Sequence, residues 1–246
     1  MKRTSILIFM LIIFSCNEQE KSTNNPRDIV AKCIQKHGGN SYNKMDVTFE
    51  FRQYKIHLLH NDGAFIYERF FTDSTGNYIQ DKLTNDTFTR LVYDRAVSLT
   101  LKEKNSLKES LNAIAYFALL PYKLSEPAVN LTYLGTTTIS NINYDKIGVS
   151  FKKNGGGADY KDEFCYWINQ TTNTLDYLAY SSGGPRFRKA TKRTKIDGVT
   201  FQDYENYQLA DTTLKTSEYD QAYKDGKATL LSKIQQVMFK SNKPKN

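Results

Sequence analysis

Histidine, cysteine and tryptophan are scarce in this chain of 246 residues, with three His, three Cys and one Trp alongside five Pro. With so few ligating and nucleophilic side chains, no zinc spacing, Cys–His pair or Ser-His-Asp arrangement can be recognised. His57 and His60 lie three apart on an expected strand, so they point to opposite faces and cannot share one metal. No Gly-Lys-Ser/Thr occurs, which excludes a Walker-type phosphate loop. Beyond residue 14 no apolar run reaches the 18 residues that suggest a membrane-spanning helix. These absences describe a protein without a metal or cofactor, whose motifs carry no catalytic chemistry.

What is present starts at the N-terminus. Lys2 and Arg3 precede an apolar run from Ile6 to Phe14 that is too short to span a bilayer, so residues 1–15 read as a signal peptide. Residues 16–25 open with "CNEQEKSTNN", which has nothing to fold around and reads as a flexible tether. Its ten or so residues reach about 17 Å. Ile13, Ser15 and Cys16 resemble the lipobox of bacterial lipoproteins, with Phe14 departing from its small-residue preference. The resemblance implies cleavage before Cys16 and acylation of its thiol, for example with palmitate. The chain is then exported and anchored in the cell envelope, on an outer membrane, facing either side. Glu18 and Glu20 resemble surface-export signals. An ordinary secretory signal, with Cys16 uninvolved, is the alternative.

Charge is concentrated. Removing Lys2 and Arg3 takes two from the formal charge of +8, and the six basic residues Arg186, Arg188, Lys189, Lys192, Arg193 and Lys195 match what remains. The rest balances, so a nucleic-acid-coating surface is not described and nucleic acid is not an expected partner. The preceding "YSSGGP" reads as a hairpin turn, because a strand and not a helix follows it. On that strand Arg186, Arg188 and Lys192 fall on one face and Lys189, Arg193 and Lys195 on the other.

Seventeen Tyr and fourteen Phe, many beside Thr, Val and Ile, favour β-structure. Pro26–His37 has helical spacing, with Gly38 and Gly39 as its stop. Alternation from Met45 to Leu99 predicts an antiparallel meander. A helix follows from a Ser106/Glu109 capping pair to Pro121, apolar nearly all round in its last turns. Six strands are expected between Asn130 and Leu209, with Asp197-Gly198 suited to a two-residue hairpin. Ala228–Phe239 fits helix or strand, and Asp225-Gly226 favours a strand. Residues 26–240 make one domain, and 241–246 a disordered tail. Cys33 and Cys165 either pair or stay as buried thiols.

Three other groups are site candidates. Asp159 and Asp162, with Glu163, follow Gly155-Gly156-Gly157, but match no calcium-loop spacing. His37 suits a helix-end dipole partner. It would also be the base, with Asp159 or Asp162, of a hydrolytic reading.

The stretches "KHGGNSY" (36–42), "AIAYFALLPYKLSEPAV" (113–129), "NGGGADYKDEF" (154–164) and "DYLAYSSGGPRFR" (176–188) resemble an uncharacterised family of bacterial lipoproteins, itself similar to the LolA/LolB lipoprotein-carrier superfamily. The resemblance implies a mainly β (α+β) fold: a strongly curved antiparallel sheet forming an incomplete barrel, with an N-terminal helix and one or two helices packed on its concave face. It also implies a cavity for acyl chains or other hydrophobic ligands. The expected function is binding a small hydrophobic or amphipathic ligand, not catalysis, with Arg186 and Arg188 meeting an anionic head and Lys192, His37, Asp159 and Asp162 as further candidates. The alternatives are an interaction lipoprotein with a filled core and the hydrolytic enzyme.

Overall fold

The computed structural model describes residues 24–154 and 160–244. Helix α1 (Pro26–His37) begins as its sequence predicts: the Asn25 side chain accepts from the Arg27 N–H, and Pro26, lacking an N–H, occupies the first helical position. The meander follows as β1 (Lys44–Phe51), β2 (Tyr54–Asn61), β3 (Ala64–Thr72), β4 (Tyr78–Thr84), β5 (Phe88–Val92) and β6 (Arg95–Ala96), paired in chain order.

Helix α2 (Leu101–Ala118) starts a turn and a half before the expected Ser106 cap. Thr100 and Glu103 form the capping box instead, with Thr100 N–H donating to Glu103 Oε2 at 2.8 Å. Both sites have the pattern, and residues 101–105 contain no breaker, so the helix propagates back to the earlier cap.

A second antiparallel sheet holds β7 (Val129–Ile139), β8 (Ile142–Phe151), β9 (Phe164–Asn169), β10 (Leu175–Tyr180), β11 (Arg186–Ile196) and β12 (Val199–Leu209). Asp197 and Gly198 both take positive φ in the β11–β12 turn, as a two-residue hairpin requires. Asp197 also accepts the Asp46 N–H at 3.2 Å and so ties this hairpin to β1.

The ambiguous C-terminal stretch is two strands. β13 (Ala228–Ile234) pairs with β12, and β14 (Val237–Ser241) pairs with β1 in the other sheet. Residues 235–236 make the crossing, where buried Gln236 donates its N–H to Asp203 and its Nε2 to the Gln202 carbonyl. Ser241 is thus still strand, and Asn242 bonds to Asp46, where a disordered tail was expected.

Chain continuity joins the sheets along this edge, while β6 and β7 are not paired, so the sheets do not close into a barrel. α2 fills the space between them: Leu111 and Ala115 pack with Phe49, Leu58 and Tyr67 of the first sheet and Phe201 of the second. Beside this core, Val30 and Cys33 of α1 pack on Tyr166, Leu178 and Tyr204. The incomplete-barrel expectation holds in this form, with one difference. The short helix α3 (Tyr219–Lys224) covers the opposite face of the second sheet, where Trp167, Tyr177 and Phe187 lie beneath Tyr219 and Ala222. Every residue of β9 is therefore buried, alternately on the two faces. Cys33 and Cys165 are both free; they belong to the cores on these opposite faces and cannot pair.

Candidate functional site

Where α2 meets both sheets a cleft of about 140 Å³ remains. Its walls are mostly apolar, with Phe49 and Phe51 from β1, Ile114 and Phe117 from α2, and Tyr204 and Ile234 from the second sheet, while Arg52 and Gln236 add polar groups. Arg188 of β11 enters this wall. Its guanidinium lies 4.3 Å from the Phe117 ring centre and 4.9 Å from that of Tyr180, and its Nη2 donates to the Tyr180 hydroxyl at 2.5 Å. Its buried Nε–H has no protein acceptor. A delocalised cation packed against two adjoining rings is well placed for cation–π attraction, yet keeps a donor for an anion. Deeper in, the Tyr116 and Tyr166 hydroxyls bond to each other at 3.0 Å, and burial raises both pKa values. Gln202 Nε2 donates to the hydroxyl of Tyr204, whose pKa is pushed up to about 12 by burial.

The sequence candidates do not gather here. Arg186 folds onto its own turn, donating to the carbonyls of Pro185 and Gly183. Register shifts between Ala190 and Arg193, so the expected two-face partition fails. Lys192 sits exposed in the bulge, and Arg193, opposite Gln202, returns to the face of Arg188. There Arg193 bonds to Gln202, Asp176 and the Leu175 carbonyl. A bulge adds one residue to the strand and inverts the side-chain parity beyond it.

His37 is 1% exposed, and its Nε2 accepts the Leu175 N–H at 3.1 Å. Burial, and next the Arg193 cation, lower its pKa to about 4. It is therefore neutral, neither a charged dipole partner nor an accessible base, which removes the base of the hydrolytic reading. Asp162 is half-buried and lines neither the Arg188 cleft nor the clefts beside α3 and Lys123. Asp159 and Cys16 lie outside the described residues.

Sequence reasoning missed the charged groups on the inward faces. Asp81 is fully buried between Arg69, at 2.5 Å, and Arg90, at 2.6 Å. Arg69 also donates to Ser110 of α2 at 2.9 Å and lies over the Tyr54 and Phe71 rings. A signal for them exists: each sits at an apolar-face position, between Tyr67 and Phe71, Ile79 and Leu83, or Phe88 and Val92. On the outward face His57 donates from both nitrogens, to Glu68 at 2.7 Å and Asp46 at 2.8 Å, opposite in direction to His60, as their spacing predicts.

A larger cleft, about 550 Å³, lies on the other side of the second sheet, beside α3. Its central charges already satisfy one another: Lys146 bonds to the Ser217 carbonyl and to Asp220, which Lys224 also faces. The smaller cleft combines apolar walls with an unsatisfied cationic donor, and is the better candidate for a ligand.

The chain belongs to the family described as "Family of unknown function (DUF6503)", whose model matches residues 2–236. Comparison with curated proteins finds no match. Among solved structures, a LolA superfamily protein from Nitrosomonas europaea aligns with a TM-score of 0.50 at 10% identity, covering 89% of this chain and 94% of that one. A putative outer membrane lipoprotein-sorting protein domain from Vibrio parahaemolyticus aligns with a TM-score of 0.44 at 8% identity, covering 90% and 95%. The fold is thus LolA-like: mainly β, with two large antiparallel sheets that stay open.

Proposed function

We propose that this family member is an exported lipoprotein, held on the outer membrane through a lipid on Cys16, that binds a small amphipathic ligand with an anionic end. The ligand's apolar body enters the cleft beneath α2, and its head meets Arg188. One observation carries this reading: a guanidinium packed on the adjoining rings of Phe117 and Tyr180, with a buried donor left unpaired, on the wall of a mostly apolar cleft that Arg52 and Gln236 also line. Binding rather than catalysis fits a site with no accessible histidine and no nucleophile on its walls.

The cleft of about 140 Å³ compares with a dry cavity of about 150 Å³ that takes up benzene. A longer chain enters only as α2 tilts. The first half of that helix is built for this, since residues 101–110 are exposed apart from half-buried Leu107. The small volume favours a second reading, an interaction lipoprotein with a filled core.

A dansyl-labelled undecanoic acid and the matching alcohol distinguish the two. Saturable fluorescence with both is expected, and Arg188→Ala should weaken the acid about tenfold, or about 1.4 kcal/mol, while leaving the alcohol unchanged. Equal weakening of both would assign Arg188 to the fold. No saturable signal from either would establish the filled-core reading.

A further inference from the structure

The opposite end of the first sheet holds a second cluster. Lys123 lies in the short turn Tyr122–Ser125 after α2, yet its side chain is 7% exposed. Its Nζ donates to Glu126 Oε1 at 2.6 Å and sits 5.3 Å from the Tyr67 ring centre and 5.9 Å from that of Phe65. The Tyr67 hydroxyl, on a fully buried ring, donates to His60 Nε2 at 2.8 Å. His60 Nδ1 in turn donates to the Tyr42 carbonyl at 2.7 Å. Because a carbonyl can only accept, this bond fixes the tautomer of a neutral His60. Burial, the largest influence on its pKa, lowers it in the same sense.

The cluster opens on a cleft of about 280 Å³ with Phe65, Tyr67 and Tyr122 as walls and Asn43, Asn85 and Glu126 on its rim. It is distinct from the Arg188 cleft: Asn43 and His60 border one, at the start of β1 and the end of β2, and Phe51 and Arg52 the other, at the far end of β1.

A buried ammonium needs an anion beside it. Here that anion is Glu126, whose side chain is 42% exposed. Glu126 can turn into water once another anion takes its place on Lys123, whereas Lys123 cannot follow it. The ion pair is therefore asymmetric, with a fixed cation and an exchangeable counter-ion. The walls beside it are aromatic, and the cleft lining holds one lysine and no arginine, which suits a monoanion better than a phosphate.

We propose that this cleft binds a small carboxylate with a flat apolar body. Its carboxylate replaces Glu126 on Lys123, and its body lies against Phe65 and Tyr122. At the roughly 30 Å³ that a water occupies in the liquid, the cleft has room for about nine heavy atoms, the size of benzoate.

Benzoate titrated into the full chain in detergent tests this, read by calorimetry and by the NMR signals of the His60 ring. Saturable binding that shifts those signals is expected. Glu126→Gln, which removes the competing carboxylate, should bind benzoate at least threefold more tightly, and Lys123→Met should lose binding. Arg188→Ala should keep the parent affinity, so that failure of the α2-cleft reading leaves this one standing. Four results would each overturn the proposal: no saturation in the parent or in Glu126→Gln, equal affinity in those two, inorganic phosphate binding as tightly as benzoate, or loss of benzoate binding in Arg188→Ala. Should Lys123→Met fail to fold, the comparison of the parent with Glu126→Gln decides alone.

Discussion

Lowering the pH from 7 to 5 should destabilise this fold through His37, by an amount the structure sets. The imidazole is buried where α1 meets β10, with Leu175 N–H on Nε2, no partner on Nδ1, and the Arg193 cation nearby. Burial, then Arg193, bring its pKa down from 6.5 to about 4, while Asp176 pulls weakly the other way. The unfolded chain therefore takes up a proton near pH 6.5 that the folded chain refuses until about pH 4. Stability falls across that window at up to about 1.4 kcal/mol per pH unit, or roughly 2 kcal/mol between pH 7 and 5. His60, also lowered by burial, adds to the loss. His57 opposes it: its pKa is raised, chiefly by the bond to Glu68, so its contribution is complete below pH 6.5 and lost as pH rises through the folded value. Comparison with His37→Gln isolates the one residue, because glutamine offers Leu175 N–H an acceptor and does not titrate. Urea unfolding of both proteins at pH 7 and pH 5 measures it. The variant should start less stable, yet lose about 2 kcal/mol less on acidification than the parent. Parallel losses in the two proteins would show that His37 is not held neutral.

The lipid anchor and the buried Asp81 can each be tested by one substitution. Cys16→Ser should abolish incorporation of labelled palmitate and release the protein from the membrane fraction; unchanged labelling would rule out lipidation at Cys16. Asp81→Asn leaves Arg69 and Arg90 without their carboxylate in the interior and should cost about 3 to 5 kcal/mol in urea unfolding, so a loss below about 1 kcal/mol would mean that the ring faces of Tyr54 and Phe71 suffice for Arg69.

How far the site was legible varied residue by residue. Arg188 stood out because a basic residue on a strand between two neighbouring strands must either reach inward or escape to the rim. It reaches inward. Arg186, of the same parity, lies at the end of its strand, where the carbonyls of the Gly183–Pro185 turn are nearer than the cleft. Lys123 gave no periodic signal at all, since it lies in an irregular turn whose packing against β3 joins residues more than fifty apart in the chain. His37 was visible as a helix end, but its state depends on Arg193, which only the folded sheet brings near.

By itself the sequence determined the features that interactions within a few residues decide. These are the Pro26 start of α1, the two-residue alternation of β1, the positive-φ turn at Asp197-Gly198, and the opposed directions of His57 and His60. Tertiary structure decided what depends on register and on contacts between distant strands. A bulge at Thr191 and Lys192 moved Arg193 to the face of Arg188, one apolar stretch was divided between two sheets at Gln236, and α3 covered the face of the second sheet opposite the one on which helices were expected. The physical reason is the period of two along a strand. One inserted residue exchanges inside for outside for everything beyond it, and only pairing with a neighbouring strand shows where that insertion falls.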